Sequence, residues 1–268
     1  MTRTAALLGI GLTVLSFASA APWTHAQARQ EALPDVAGIR PGMPAEEAYK
    51  LLKARNSSVQ IGIGQMALPG FGEKPVVTEM RALIVDASAP ETINVWLTTP
   101  PGKQVVFAVG RLLEYDPSQP LLRNKVAGSL HEKYGLETDT NPVLIYWAFD
   151  EQGRRPDPGR LKQLNCAGVA PANLNVAAPQ GATFPAVSTL IYPLPPANAC
   201  DGFVKVTAQL DGAAGQDQTY VRRITVLVWD LPLYRRAKEA YQAYLANSAN
   251  AQSQAELEKA KQRTVPKF

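Results

Sequence analysis

Residue types capable of nucleophilic or metal chemistry are scarce in this chain. Two cysteines, Cys166 and Cys200, and two histidines, His25 and His131, are its only thiols and imidazoles. A Ser-His-Asp or Cys-His centre needs a histidine base beside the nucleophile. His131 follows Leu130 and precedes Glu132 and Lys133 near the end of a predicted helix, where a solvent-facing ring is expected. A zinc site needs three or four ligands at short spacing, a pattern these residues do not form. No G-x-S-x-G, H-E-x-x-H, Walker or G-x-G-x-x-G sequence occurs. Carboxylates flank predicted strands at Glu79, Asp86, Glu91, Glu114 and Asp116. Two of them across a cleft would suffice for glycoside-type acid–base hydrolysis, but solvated strand ends place acids at the same positions. No catalytic, cofactor-binding or metal-ligating residue is assigned, and a carboxylate hydrolase is the second reading behind a binding protein.

Aromatic residues supply the other chemistry, recognition. Tryptophan and tyrosine concentrate binding energy at interfaces, yet on strands and amphipathic helices most are core. Trp96 alternates out of phase with Ile93, Val95 and Leu97 and is the aromatic expected to be exposed. Tyr241 and Tyr244, on one face of a long terminal helix, complete the candidate binding surface.

The cysteines acquire meaning from the N-terminus. Met1-Thr-Arg3 is a short basic start, and an uncharged run from Ala5 to Ala18 leads into Ala18-Ser19-Ala20. That is the order of a secretory signal peptide, with cleavage expected after Ala20 and a later A-x-A at Ala26-Gln27-Ala28 as the alternative. As a helix the run spans roughly 21 Å, short of the ~30 Å hydrocarbon core, so no permanent anchor is expected. No cysteine lies in this region to carry a lipid. In an oxidising compartment an isolated pair is expected to form a disulfide, Cys166–Cys200. The loop so closed holds six prolines from Pro171 to Pro196, and closure restricts its unfolded freedom by about 3–4 kcal/mol in the chain-entropy model. The protein is expected in the periplasm or secreted.

With 46% hydrophobic residues the chain can build a real core, so wholesale disorder is not expected. A net charge of +4 without a dense basic block makes nucleic acid a poor partner. Turn residues and periodicity then place the elements. Pro41-Gly42 precedes a helix in which Ala48, Leu51 and Leu52 share a face. Strands are predicted over 59–68, 81–86, 92–98, 104–115, 143–149, 203–210 and 220–230. A second helix over 121–133 carries Leu122, Val126 and Leu130 at i, i+4, i+8, with Gly135 as its stop. A third runs from about 233 to 261, becoming polar after Asn247-Ser-Ala-Asn250, where it is expected to fray or to end exposed.

The two halves share an order. Each runs helix, then strands, then a last strand leaving through an aspartate–proline corner, at Leu113-Glu-Tyr-Asp116-Pro117 and Leu227-Val-Trp-Asp230-Leu-Pro232. The expected fold is α+β: two α-β-β-β units, sharing one antiparallel sheet or in tandem, with packed helices and a long C-terminal helix. The divisions are 1–20 signal peptide, 21–37 loose N-terminus, 38–119 first unit, 120–232 second unit with the 166–200 loop, and 233–268 terminal helix and tail.

The stretch Ile39-Arg-Pro-Gly42-Met43-Pro-Ala-Glu-Glu47-Ala-Tyr-Lys-Leu51-Leu52 resembles the I-x-x-G-M-[ST]-x-x-E-V-x-x-L-L-G helix opening of BamE/SmpA-like envelope modules and of the β-lactamase-inhibitor-protein-like fold. It departs from them in having Pro44 at the capping position and no glycine after Leu52. The resemblance implies helices packed on an antiparallel sheet and a non-enzymatic role. Such a role would be binding another envelope protein or a cell-wall component.

Overall fold

The first helix begins where the chain is pinned to the sheet. Gly42 N donates to the Val106 carbonyl at 2.7 Å and Val106 N to Met43 O at 2.8 Å. Helix α1 (Ala45–Ala54) follows, with Glu46 and Glu47 in its first turn, where the helix dipole favours negative charge. It buries Ala48 and Leu52, one turn apart. Leu51, expected on the same face, is 38% exposed because the inward stripe is only one residue wide per turn. The computed structural model describes residues 33–85, 89–116, 118–140, 144–157, 202–212 and 219–262.

Four strands follow as an antiparallel meander: β1 (Gln60–Met66), β2 (Val76–Ile84), β3 (Glu91–Leu97) and β4 (Val106–Glu114). A two-residue strand β5 (Leu121–Leu122) leads into α2 (Arg123–Tyr134), which buries Val126, Leu130 and Tyr134. Leu122 lies just before the helix rather than on its face, so the apolar stripe sits one turn later than predicted. Then come β6 (Asp139–Thr140), β7 (Leu144–Phe149), β8 (Val204–Asp211), β9 (Tyr220–Val221) and β10 (Arg223–Asp230), and finally α3 (Leu231–Lys261). β5 and β9 pair with each other.

Among the described residues eight strands form one sheet in the order β1-β2-β3-β4-β10-β8-β7-β6. Two meanders thus meet through their last strands, β4 against β10, from Arg223↔Glu114 to Trp229↔Ala108. The halves are topologically equivalent about this central pair, and they share a sheet. Each has a helix and four strands rather than three. The fourth strand of the first half is the glycine-interrupted β1, which falls within the strand expected over 59–68, and that of the second half is the two-residue β6, which was not expected. Gly64 stands opposite Glu79, and a Cβ there would lie 3.1 Å from the glutamate Cβ.

Both sheet faces are covered. α1 and α2 lie on one face, over a core that includes Met80, Ile93, Val95, Val109, Trp147, Val206 and Val228. The other face carries Trp96, Phe107, Ala108, Leu227 and Trp229, against which Leu231, Leu233 and Tyr234 of α3 pack. A register shift between Trp96 and Leu97 places Phe107 opposite no partner, so both Phe107 and Ala108 join that cluster. The two aspartate corners act differently. Asp230 accepts from Leu233 N at 2.7 Å and caps α3 directly. Asp116 instead accepts from Ser118 N at 2.7 Å in a local turn, and the chain passes through β5 before α2 begins.

α3 ends at Lys261, as expected, and its polar last turns stay helical and exposed, the second of the two expected outcomes. Its 31 residues extend roughly 46 Å. Beyond Leu245 its side chains are exposed apart from the half-buried Ser248, and alanine, glutamate, glutamine and lysine there are good helix formers. No helix among the described residues is long and apolar enough to cross a membrane.

Candidate ligand cavity

Trp96, Tyr241 and Tyr244 do not form a common open surface. Trp96 is 3% exposed, contrary to expectation, because α3 covers the face toward which it points. Tyr241 is buried and donates to the Pro69 carbonyl at 3.2 Å, while Tyr244 donates to Gly70 O at 2.9 Å. Both rings stack on Phe71, at centroid distances of 6.2 and 4.7 Å. These tyrosines hold α3 to the β1–β2 connection. Cys166, Cys200 and Ala20 lie outside the described residues.

The carboxylates are likewise separated. Glu79 and Glu91 face opposite sides of the sheet, Glu79 beside Trp96 and Glu91 in phase with Ile93 and Val95. Glu91 is held by Arg55 and Arg111, Glu114 by Arg223 at 2.7 Å, and Asp116 by its own turn. Asp86 is outside the described residues. Among the described residues no group of three potential metal ligands occurs. His131 Nε2 lies 2.5 Å from Glu137 Oε2 at a partly exposed position.

Glu79 carries a testable consequence. Burial raises its carboxyl above the ordinary value of 4.5, opposed by Arg81 and by the 2.8 Å bond from Asn94. The fold therefore holds this proton more tightly than the unfolded chain does. The associated stability is fully present below the ordinary value and is lost as pH rises through the folded one. Glu79→Gln keeps an acceptor for Asn94 and removes the titration. Its stability relative to the parent is expected to be greatest at about pH 7 and to shrink toward about pH 4 in urea titrations. A pH-independent difference would contradict this account.

A concavity lies on the other face, between α2 and the central strands. Its volume is about 440 Å³. The floor comes from both halves: Arg111 and Leu113 of β4, with Ile224 and Val226 of β10. α2 contributes Lys125, Val126, Ser129, Leu130, Lys133 and Tyr134, successive turns of one helix face. Leu121, Leu122 and Tyr115 line one side, and Val36 and Ala37 another.

The 33–39 segment is itself structured, although 21–37 was expected to be loose. Leu33 and Val36 are core residues, 7% and 2% exposed. Asp35 accepts from Gly38 N at 2.8 Å and pairs with Lys133 at 3.0 Å, and its carbonyl receives the Tyr134 hydroxyl at 2.7 Å. Burial, reinforced by Asp35 and opposed by Arg111, pushes the Tyr134 phenol well above its ordinary range, so it remains protonated as that donor.

Charge is unbalanced among the cations that line the cavity, Arg111, Lys125 and Lys133, and the charged groups bonded to them from outside it. Glu91 Oε1 receives Arg55 Nε at 2.9 Å and Arg111 Nε at 2.7 Å, two guanidiniums on one carboxylate. The terminal amino groups of Arg111 make no other bond among the described residues, and the side chain is 31% exposed. Lys125, on the rim, has no ion-pair partner among the described residues. The cations Arg55, Arg111, Lys125 and Lys133 thus outnumber the carboxylates Glu91 and Asp35. Sequence reading did not single out this set. Two signals were present: an arginine at an inward-facing position of an apolar strand, Val109-Gly-Arg111-Leu-Leu113, and the line Lys125, Ser129, Lys133 flanking Val126, Leu130 and Tyr134. Comparison with protein families, with curated proteins and with solved structures finds no match.

Proposed function

We propose that this protein is an exported, non-enzymatic binding module of the cell envelope. On this reading its ligand, a component of that compartment, occupies the cavity between α2 and the β4–β10 pair. The observation that carries the reading is the cavity itself, with apolar walls from Leu113, Val126, Ile224 and Val226 and three placed cations, Arg111, Lys125 and Lys133. Its volume lies within the ~300–1,000 Å³ usual for small-molecule sites. The signal-like N-terminus and the resemblance of residues 39–52 to envelope modules support export and a binding role. Beyond the ligand of the cavity, a macromolecular partner would be another envelope protein or a cell-wall component, with nucleic acid not expected.

The test is native mass spectrometry of full-length protein expressed in a bacterial host and recovered from the periplasm. The expected species begins after Ala20 and carries a non-covalent ligand that is released chemically unchanged on denaturation. Ser129→Trp, at an exposed rim position, and Val226→Phe, in the floor, are expected to remove that ligand. Cytosolic protein retaining Met1, a ligand released as cleavage products, or equal ligand content in parent and both variants would overturn the proposal.

A further inference from the structure

Resting on that reading of the cavity, we infer that its ligand is a single-chain amphipathic carboxylate, with the carboxylate on Arg111 and the aliphatic chain along the floor. The chain's surroundings are Leu113, Leu121, Val126, Ile224 and Val226, all of which line the cavity. Burying such surface is the main source of affinity for an apolar tail. A volume of about 440 Å³ lies toward the lower end of small-molecule sites and matches one chain rather than a two-chain lipid.

The headgroup follows from how Arg111 is held. Its Nε is committed to Glu91, which fixes the guanidinium plane and leaves the two terminal amino groups as a fork. A planar carboxylate matches that fork with two parallel charge-assisted bonds. Glu91 cannot fully neutralise Arg111, because the same oxygen also serves Arg55 at the end of α1. One positive charge is therefore left over in a partly desolvated site, where an unpaired charge is costly and a matching anion is favoured. Lys125 adds an exposed cation at the rim. Lys133, already paired with Asp35, is largely spent. The arrangement compensates one buried negative charge, not the two of a phosphomonoester.

The experiment is calorimetric titration of the folded protein, freed of co-purified ligand, with sodium dodecanoate and with dodecan-1-ol, each kept monomeric. Dodecanoate is expected to bind one-to-one, and the alcohol at least about tenfold more weakly. Arg111→Gln should abolish the difference and Arg111→Lys restore part of it. If Arg111→Gln does not fold, Lys125→Glu, on the exposed rim, supplies the variant: it should weaken dodecanoate several-fold, more at low salt, and leave the alcohol unchanged. Alcohol and carboxylate binding equally, with Ser129→Trp and Val226→Phe blocking both, would overturn the carboxylate assignment and leave the cavity a binding site. Dodecanoate binding that neither blocking variant reduces would place the amphiphile elsewhere and overturn the inference. Failure of both amphiphiles to bind the parent overturns it as well, while a ligand in the native spectrum would still uphold the cavity reading.

Discussion

Trp147→Ala is expected to destabilise the fold by about 3–5 kcal/mol, the range for removing a large aromatic from a core. The side chain is fully buried in the middle of β7 and packs under α2, 5.4 Å from the Tyr134 ring and 6.3 Å from His131. Its indole Nε1 also donates to the Gly135 carbonyl at 2.8 Å. Gly135 terminates α2 at φ 76 and ψ −168, a region essentially reserved for glycine. Tryptophan 147 therefore fills volume and fixes the end of the helix at once. Truncation leaves a void and strips the Gly135 carbonyl of its donor. Trp147→Phe, which retains a ring but loses the N–H, should cost markedly less than the alanine variant, since a hydrogen bond contributes only about 0.5–1.5 kcal/mol net. Urea unfolding of the three proteins measures this. A loss below about 1 kcal/mol for Trp147→Ala would show that the indole is not the anchor of α2. Because α2 forms one wall of the cavity, ligand affinity should fall in parallel.

Trp96→Ala is expected to lose a comparable amount, about 3–5 kcal/mol, on the opposite face. If Trp96 belonged to an open recognition surface, its removal would leave stability nearly untouched and damage only binding. Its burial among Phe107, Ala108, Leu227 and Trp229, beneath the first turns of α3, dictates the reverse. The helix should also detach more readily, because the hydroxyl bonds of Tyr241 and Tyr244 to the β1–β2 connection would then hold it with a void beneath its N-terminal turn. Limited proteolysis should show faster cleavage within residues 231–245 of the variant than of the parent. An unfolding midpoint equal to the parent's would return Trp96 to the surface.

Much of this architecture was legible because it depends on short-range patterns. Ile93, Val95 and Leu97 alternate with period two and form β3. Pro41-Gly42 and Gly135 mark helix boundaries through backbone chemistry that neighbours alone determine. The repeated order of helix and strands reads through to two meanders, because consecutive antiparallel strands usually pair with each other. The two-residue β6 was not legible, since Asp139 and Thr140 pair only because β7 lies beside them.

What only the tertiary structure decided is which face each residue serves. Alternation assigns Trp96 to the side opposite Val95, but whether that side meets water depends on α3, which returns from more than a hundred residues away. Leu51 and Leu52 are equally apolar, and the one-residue stripe that α1 presents to the sheet separates them. Arg111 is a charged residue in an apolar strand by sequence; its shared carboxylate comes from β3, its competitor Arg55 from the end of α1, and the wall above it from α2. Local patterns determine the elements through backbone geometry and period. The cavity arises from the antiparallel joining of β4 to β10, a contact between distant parts of the chain that no window of sequence contains.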